Sequence, residues 1–318
     1  MEANWKSRKV VVVGAGAVGS TFAYALAQRG LAEEIVLIDA NRDFAEAQAL
    51  DLAHGMPYYP SAEIRVGTKQ DYADAQAIVI TAGAKQTPGE SRLALLKRNS
   101  SIIESIIDEI TGKGSQAVVV VTSNPVDILT YVALKRAGWS KGRVIGSGTV
   151  LDSARFRYLL SQHCGVDVGN VHAYFLGEHG DSEFPAWSMT HIAGVSIEDF
   201  CPMCNKCNDW QVERERIVKT VKESAYHIIN YKGATYFAIG MALVRIVGTI
   251  LQDQRSVLPV STLLEGEYGI KDVCLGVPSV VGQGGVREIV EAPLYPVEME
   301  ELKNSAAILK GALKELKG

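Results

Sequence analysis

The first half of this 318-residue chain alternates short apolar runs, rich in β-branched residues, with longer stretches of helical periodicity. The apolar runs lie at residues 9–13, 34–38, 77–81, 117–122 and 143–145. Runs that are apolar at nearly every position are typical of parallel strands buried on both faces. Parallel strands need long crossover connections, and the intervening stretches, such as 18–29 and 92–111, have the 3.6-residue period of helices. The pattern predicts an α/β fold with a parallel sheet between two layers of helices.

A different pattern begins after about residue 148. Helical stretches lie at 151–163, 209–230 and 234–251, strand-like runs at 256–261 and 272–281, and an amphipathic segment at 296–316. Helices and strands that come in blocks favour an α+β arrangement. We therefore expect two closely packed domains, an α/β domain at residues 1–148 and an α+β domain at 149–318.

Composition excludes several classes of protein. Hydrophobic residues make up 47% and charged residues 21% of the chain, the proportions of an ordinary globular protein. The net charge of −4 argues against general binding to nucleic acid. No apolar run approaches the roughly 18–20 residues that cross a membrane. Because the five cysteines are too few for a disulfide scaffold and the N-terminus has no signal-peptide pattern, we expect a cytoplasmic protein.

A glycine-rich segment, GAGAVG at residues 14–19, follows the first apolar run and opens the first helical stretch. Its glycines suit a tight turn, close approach of the backbone to a pyrophosphate, and tight packing of helix on strand. The start of the helix offers N–H groups and a partial positive charge to phosphates. Asp39 ends the next strand, where a carboxylate can accept hydrogen bonds from ribose hydroxyls and repel a 2′-phosphate. These features predict a Rossmann-type site for NAD, with the cofactor bound by Gly14, Gly16, Val18, Gly19 and Asp39.

An ordinary turn between a strand and a helix could show the same motif, with Asp39 as the cap of the following helix. Asn41 or Asp43 could provide that cap instead. We favour the dinucleotide site because the motif lies between an apolar run and a helical stretch, which is the context that such a site needs.

A loop-like segment, GEHGD at residues 177–181, places His179 among glycines and charged residues. Histidine suits proton transfer because its unperturbed pKa is about 6.5. Asp152 and Arg155 are three residues apart and share a helix face, so a carboxylate could hold an imidazolium while a guanidinium binds a substrate carboxylate. Arg157 lies about 200° around the helix from Arg155 and should serve another surface. A surface histidine and an ordinary i,i+3 ion pair are the alternative interpretation.

Two further segments follow predicted strands at one edge of the sheet. Residues 81–92, TAGAKQTPGESR, are rich in turn-forming residues, which is typical of a mobile lid. Asn124 ends another strand at the edge where ligands of open α/β sheets bind, although it could simply cap the next helix. We expect this edge to contain the substrate site.

Together, these segments resemble the L-lactate dehydrogenases of the lactate/malate dehydrogenase superfamily over essentially the whole chain. The resemblance is carried by the motifs GAGAVGS, VLIDAN, TAGAKQTPGESR, VTSNPVDILT, GSGTVLDSARFR, GEHGDSEFPAWS and KGATYFAI. It implies NAD-dependent interconversion of pyruvate and L-lactate by a homotetramer. No binding to nucleic acid, membrane or metal is implied.

The resemblance also implies a role for each catalytic residue. His179 protonates the ketone oxygen of pyruvate while NADH delivers hydride to the carbonyl carbon, and Asp152 orients His179 and stabilises its charged form. Arg155 binds the substrate carboxylate through a bidentate contact. Arg92 enters with the closing lid to polarise the carbonyl group, and Asn124 helps to fix that group.

Other residues of the two sites follow from the same resemblance. Thr235 is implied to line the substrate pocket, and Ile239 to pack on the nicotinamide face opposite the substrate. Gly83, Ala84 and Asn124 are implied to join the cofactor site.

Gln86 predicts the choice of substrate. Malate dehydrogenases resemble the chain but carry arginine at the corresponding lid position, where it pairs with the second carboxylate of oxaloacetate. A neutral glutamine leaves that carboxylate without a counter-charge in a dry pocket, so we expect pyruvate as substrate. A malate or other 2-hydroxy-acid dehydrogenase is the nearest alternative, and an idle NAD-binding or redox-sensing protein is a more distant one.

Regulation is a further implication. Bacterial relatives are often activated by fructose 1,6-bisphosphate between subunits, and the residues involved match Arg157 and His172. Two subunits would place two arginines and two histidines around two phosphates. The alternative is that Arg157 makes a surface salt bridge and His172 packs locally.

Three cysteines, Cys201, Cys204 and Cys207, depart from the family, in which this stretch is usually a plain loop before a helix. Their Cx2Cx2C spacing suits metal ligands, but a fourth ligand is not evident nearby in the sequence. We favour a loop with incidental cysteines over a metal site.

Overall fold

The structure is a computed structural model in which residues 8–84, 89–204 and 209–317 are described. The first half contains the strands and helices that the alternating pattern predicts. The strands are β1 (Lys9–Val13), β2 (Glu34–Ile38), β3 (Glu63–Val66), β4 (Ala77–Ile80), β5 (Val118–Val121) and β6 (Val144–Gly146). The helices are α1 (Ala17–Arg29), α2 (Arg42–His54), α3 (Arg92–Gly112) and α4 (Val126–Ala137).

The second half mixes helices with antiparallel strands. Its helices are α5 (Val150–Cys164), α6 (Ile197–Cys204), α7 (Trp210–Lys232), α8 (Phe237–Leu251) and α9 (Pro296–Lys317). Its strands are β7 (Val171–His172), β8 (Phe175–Leu176), β9 (Phe184–Pro185), β10 (His191–Ile192), β11 (Val195–Ser196), β12 (Ser256–Glu265), β13 (Lys271–Gly282) and β14 (Gly285–Ile289). Within the described ranges, no helix is long and apolar enough to span a membrane.

The first six strands form a parallel sheet in the order β3-β2-β1-β4-β5-β6. This order confirms the predicted Rossmann-type fold, and it reverses between β1 and β4, where ligands of such sheets bind. The sheet continues through the antiparallel strands β12, β13 and β14, with Ser261 of β12 paired to Gly146 of β6. The α+β character of the second half is confirmed as well.

The hydrophobic core lies on both faces of the sheet, which explains why the strands are apolar throughout. Val11 and Val13 contact one core cluster together with α3 and α4, whereas Val10 and Val12 contact another together with α1 and α8. Alternate side chains of a strand point to opposite faces, so both sets must be apolar. Each fully buried valine contributes about 1.5–3 kcal/mol relative to an exposed one.

A few elements differ from the sequence prediction. Strand β3 lies at residues 63–66, where no strand is predicted, because it is the edge strand and carries the charged residues Glu63 and Arg65. Strands β12 and β13 are longer than predicted, since they pair with each other along nearly their whole length. Helix α8 begins at Phe237 rather than at residue 234, because Gly233, with φ of 83°, ends α7 in the left-handed conformation.

Candidate active site

The turn between β1 and α1 requires glycine for steric reasons. Gly14 has φ of 104°, and a Cβ there would lie 2.6 Å from the backbone nitrogen of Ala82. A Cβ on Gly19 would lie 1.9 Å from the carbonyl oxygen of Gly14, so α1 packs directly on the turn. At Gly16, by contrast, a Cβ would meet no described atom within 4 Å. Gly14 and Gly19 thus serve the fold, while Gly16 leaves the open space that a closely approaching pyrophosphate needs.

Asp39 lies just after β2 and faces this turn. Its Oδ2 accepts a hydrogen bond from the backbone nitrogen of Ala15 at 2.8 Å, and its Oδ1 accepts one from the backbone nitrogen of Asn41 at 2.9 Å. The cap of α2 is Asn41, whose side chain accepts a hydrogen bond from the backbone nitrogen of Phe44 at 3.1 Å. The alternative role of Asp39 as the helix cap is therefore wrong, and its carboxylate is available beside the glycine turn.

A cavity of about 1010 Å³ opens beside the turn. The predicted cofactor residues that line it are Gly14, Gly16, Asp39, Gly83 and Ala84. The backbone nitrogen of Ala84 donates to Oδ1 of Asn99 at 2.8 Å, and Nδ2 of Asn99 donates to the carbonyl oxygen of Asn124 at 3.2 Å. Asn99, which the sequence analysis does not single out, therefore connects the segments that follow β4 and β5. The volume, the backbone of the turn and the carboxylate fit a dinucleotide.

A second cavity, of about 540 Å³, brings together the predicted catalytic residues. The predicted residues that line it are Arg92, Asn124, Asp152, Arg155 and His179. They come from the start of α3, the end of β5, the first turns of α5 and the loop after β8. Tertiary structure thus assembles in one place what the sequence distributes over about 90 residues.

The centre of this cavity is the carboxylate of Asp152, which is 1% exposed. Its Oδ2 lies 2.7 Å from Nδ1 of His179, and its Oδ1 accepts a hydrogen bond from Nη1 of Arg155 at 2.7 Å. The i,i+3 spacing on α5 places Asp152 and Arg155 on one face, as predicted. Because Nδ1 of His179 is engaged, Nε2 is the ring nitrogen that remains for a substrate.

These contacts set the protonation of the pair. Burial would lower the pKa of His179, but the charge and hydrogen bond of Asp152 raise it to about 9. Burial would likewise raise the pKa of Asp152, yet His179 and Arg155 hold it below its usual value. At neutral pH the site therefore contains an imidazolium beside a carboxylate.

A second buried carboxyl group, Asp127, fixes the loop that carries His179. Its Oδ2 accepts a hydrogen bond from the backbone nitrogen of His179 at 2.8 Å, and its Oδ1 accepts one from Oγ of Ser261 at 2.5 Å. Burial raises the pKa of Asp127 to about 6 against the lowering effect of both bonds. Asp127 was not among the predicted site residues, although an acidic residue in the first turn of a helix, ahead of an apolar stretch, was a usable signal.

Glu183 is a third buried acid and is also absent from the predicted site. Its Oε2 lies 4.0 Å from Nδ1 of His179. Among the described residues, Asp152, His179 and Glu183 are the one group of donor atoms, all within 4.8 Å, with a spacing that a metal ion could bridge. Arg155 already supplies a positive charge to Asp152, so we interpret the group as a set for handling protons rather than a metal site.

Some predicted site residues do not line either cavity. Thr235 lies in the segment between α7 and α8, and Ile239 and Val18 pack against the core cluster that contains α1 and α8. Gln86, on which the choice of substrate depends, lies outside the described residues. Their contacts with ligands stay predictions.

Neither Arg157 nor His172 lines the substrate cavity. Nε of Arg157 donates to the carbonyl oxygen of Val171 at 2.7 Å, and its Nη2 donates to that of Val168 at 3.3 Å. His172, the next residue after Val171, is exposed and pairs with His191 in the neighbouring strand. The expectation that Arg157 and Arg155 serve different surfaces is confirmed.

Cys201 lies in helix α6 rather than in a plain loop. It is buried, and its Sγ is 3.9 Å from Nε2 of His163, whose Nδ1 is 3.2 Å from Oε1 of Glu213. Cys207 and the side chain of Cys204 lie outside the described part of the chain. No short-range sequence signal pointed to His163, because it is 38 residues from Cys201.

Comparisons with known proteins agree with this geometry. The family model described as lactate/malate dehydrogenase, NAD binding domain, matches residues 8–146, and the model for the alpha/beta C-terminal domain of the same family matches residues 149–318. The chain is 56% identical over 311 residues to an L-lactate dehydrogenase of Treponema denticola, covering 98% of this chain and 99% of that one.

Solved structures give the same result. The structure of a lactate dehydrogenase enzyme from a Medee basin deep-sea metagenome library is 44% identical, with a TM-score of 0.96, covering 99% of this chain and 100% of the other. The minor L-lactate dehydrogenase of Enterococcus mundtii in its ligands-bound form is 43% identical, with a TM-score of 0.94, covering 98% of both chains.

Proposed function

Because the chain belongs to the lactate/malate dehydrogenase family, we propose that it is an NAD-dependent L-lactate dehydrogenase. It reduces pyruvate to L-lactate with NADH and catalyses the reverse reaction. The observation that carries the proposal is the pair of 2.7 Å contacts through which Asp152 holds His179 and Arg155 in one cavity. A proton donor and a carboxylate-binding cation at this spacing suit a small 2-keto acid.

His179 is the proton donor of the reduction. Asp152 holds Nδ1, so Nε2 donates a proton to the ketone oxygen of pyruvate and accepts one from lactate in the reverse direction. A pKa of about 9 keeps the imidazole protonated at neutral pH, which is the form that reduction needs. Asp152 acts through His179, because it orients the ring and stabilises its charge.

The two arginines recognise different parts of the substrate. Arg155 uses one nitrogen for Asp152, which fixes the guanidinium, and its remaining N–H groups bind the substrate carboxylate. Arg92, the first residue of α3, stabilises the negative charge that develops on the carbonyl oxygen. Asn124 and Thr235 complete the polar lining of the substrate.

The first cavity binds NAD, and the bound nicotinamide supplies the hydride. The turn at Gly14 and Gly16 accommodates the pyrophosphate, and Gly83 and Ala84 border the path towards Asn124. Asp39 binds the ribose hydroxyls, because its two bonds to backbone N–H groups leave lone pairs on both oxygens.

The direct test is oxidation of NADH by pyruvate and by oxaloacetate. We expect a higher kcat/KM for pyruvate, because Gln86 offers no charge to the second carboxylate of oxaloacetate. His179→Asn should lower kcat/KM by about 10³-fold or more, whereas Lys219→Gln, a change at a 73% exposed side chain, should not. A higher kcat/KM for oxaloacetate would contradict the choice of substrate, and an active His179→Asn enzyme would contradict the mechanism.

We also propose that fructose 1,6-bisphosphate activates a homotetramer through Arg157 and His172. Support comes from the hydrogen bond that Nε of Arg157 donates to the carbonyl oxygen of Val171, the residue before the exposed His172. Two such pairs across a twofold axis offer four cationic groups to two phosphates when the histidines are protonated.

The regulatory proposal is tested by pyruvate saturation and sedimentation with and without the bisphosphate. Arg157→Gln should abolish activation by the bisphosphate, while the rate measured without the bisphosphate should stay the same. If saturating bisphosphate changes neither the pyruvate saturation curve nor the oligomeric state of the unaltered protein, the proposal fails.

We also propose that the enzyme works in the cytoplasm, where pyruvate and NADH are available.

A further inference from the structure

Glu183 is a buried acid of the substrate cavity to which the proposed reaction assigns no role. It is 4% exposed and lines the same cavity as His179 and Arg155. Its Oε2 is buried and has no hydrogen-bond partner among the described residues. A carboxylate that is buried without a partner is costly, so such a group either carries a proton or serves a function that requires the charge.

The charged groups that face Glu183 come from three places. Asp152 and Arg155 face it from α5, Lys222 faces it from α7, and His179 lies in the same loop, with Nδ1 at 4.0 Å from Oε2. Asp152 is committed to His179 and Arg155 by its two contacts of 2.7 Å. Glu183 therefore shares the charge of His179, at 4.0 Å, with Asp152, which lies closer to the same ring nitrogen at 2.7 Å.

Two neighbouring carboxyl groups in one buried site do not both ionise easily. Asp152 is the ionised member, because two cations contact it directly. Burial, and then the charge of Asp152, raise the pKa of Glu183 to about 9. At neutral pH, Glu183 is thus a neutral acid beside a protonated His179.

We propose that Glu183 tunes pyruvate reduction through its charge. As a neutral acid it allows the substrate anion to bind, and as a carboxylate it repels that anion. The proposal rests on the proposed lactate dehydrogenase function. Glu183 makes no bond to the substrate and acts through its charge on the cavity. The form of the enzyme that reduces pyruvate then holds two protons. The proton on His179 is transferred, and the proton on Glu183 removes a negative charge that would repel the substrate anion.

The pH dependence of kcat/KM for pyruvate tests this role. Between pH about 7 and about 10.5, log kcat/KM of the unaltered enzyme should fall with a slope that approaches two, because two groups lose protons. For Glu183→Gln the slope should approach one. The ratio of variant to unaltered kcat/KM should then rise towards about tenfold per pH unit at the alkaline end. At pH about 7 the two enzymes should agree within about twofold, because glutamine imitates the neutral acid.

Two matched variants separate charge from structure. Glu223→Gln removes a carboxylate from a 64% exposed position on α7 and should reproduce the unaltered profile. Glu183→Asp keeps an acid in the cavity, so its log kcat/KM should still fall with a slope that approaches two. The alkaline loss in the unaltered enzyme should appear mainly in KM, since repulsion weakens binding of the substrate anion.

A binding measurement that needs no variant provides a second readout. Oxamate, an unreactive amide analogue of pyruvate, is titrated calorimetrically into the complex with NADH in buffers of different ionisation enthalpy. At pH about 10, binding should take up more than one proton per site, because both His179 and Glu183 must regain theirs. Uptake of one proton or fewer would overturn the proposal.

Two kinetic results would also overturn it. A pH-independent ratio between Glu183→Gln and the unaltered enzyme would mean that residue 183 does not titrate in the working range. A tenfold loss in Glu183→Gln at pH about 7, restored by Glu183→Asp, would mean that the carboxylate is required. The absence of pyruvate reduction in the unaltered protein would instead contradict the proposed function, so the two failures are distinguishable.

Discussion

The two cavities differ in the groups that line them. The nucleotide cavity is lined at its turn by the backbone of Gly14 and Gly16, with one carboxylate from Asp39. The substrate cavity is lined by charged side chains from five separate segments, centred on the nearly inaccessible Asp152. The first therefore depends on the shape of its backbone turn together with one carboxylate, whereas the second depends on several charges and requires a particular fold to assemble them.

Their electrostatic behaviour differs accordingly. In and next to the substrate cavity, burial raises the pKa of Asp127 and Glu183, while the charge of Asp152 raises the pKa of His179 against the effect of burial. Shifted pKa values concentrate where proton transfer takes place. Three changes, ordered by expected effect, test whether charge governs one cavity and shape the other.

The largest effect is expected from Arg155→Lys. Lysine keeps the positive charge but cannot contact Asp152 and hold a substrate carboxylate in a bidentate manner at once. We expect kcat/KM for pyruvate to fall by about 10³-fold, with little change in NADH affinity. Steady-state kinetics and NADH fluorescence measure both quantities. Arg216→Lys, at a 60% exposed position on α7, is the control, and an equal loss in the control would remove the distinction between the cavities.

The second effect is the pH dependence of lactate oxidation. Oxidation needs neutral His179, and a pKa of about 9 means that the neutral fraction grows as the pH rises towards that value. We expect kcat/KM for lactate to rise by nearly tenfold per pH unit from pH about 7 to about 9, whereas that for pyruvate should stay nearly level until about pH 9 and fall above it. Profiles of kcat/KM against pH, measured for lactate oxidation and for pyruvate reduction, check the direction of each change. A plateau for lactate beginning near pH 6.5 would show that Asp152 does not raise the pKa of His179.

The smallest effects separate folding from cofactor binding at the glycine turn. Gly14→Ala forces a side chain into a left-handed conformation against the backbone of Ala82, and should cost about 1–3 kcal/mol of unfolding free energy. Gly16→Ala meets open space in the protein, so its unfolding midpoint should be unchanged while its NADH affinity falls. Thermal melts and NADH titration measure the two effects. Unchanged NADH affinity in Gly16→Ala would contradict the position given to the pyrophosphate.

The fold was largely predictable because its signals are local. Fully apolar runs predict β1 and β2 with their observed bounds, since buried parallel strands need apolar residues on both faces. The edge strand β3 has no such requirement, so its charged residues conceal it. The lengths of β12 and β13 come from their pairing with each other, which is a tertiary property.

The site was predictable in part for the same reason. Motif residues such as His179, Asp152 and Arg155 carry recognisable chemistry in short segments, and the structure brings them together. Asp127 acts through burial and through a contact with the backbone of His179, 52 residues away. Glu183 is only four residues from His179, but its role depends on burial close to Asp152, which a short motif does not reveal. The position of Gln86, which lies outside the described residues, still depends on the sequence resemblance.

The bonds of Asp127 connect catalysis to a distant part of the sheet. One carboxyl group holds both the backbone of His179 and Ser261 of β12, so the reactive loop is fastened to the antiparallel hairpin of the second half. Local opening of that hairpin would remove Ser261 from Asp127 and so loosen the loop while the parallel strands stay intact. On gradual warming, turnover should therefore fail before the molecule as a whole melts, and the hairpin, rather than the nucleotide domain, should limit the working temperature of the enzyme.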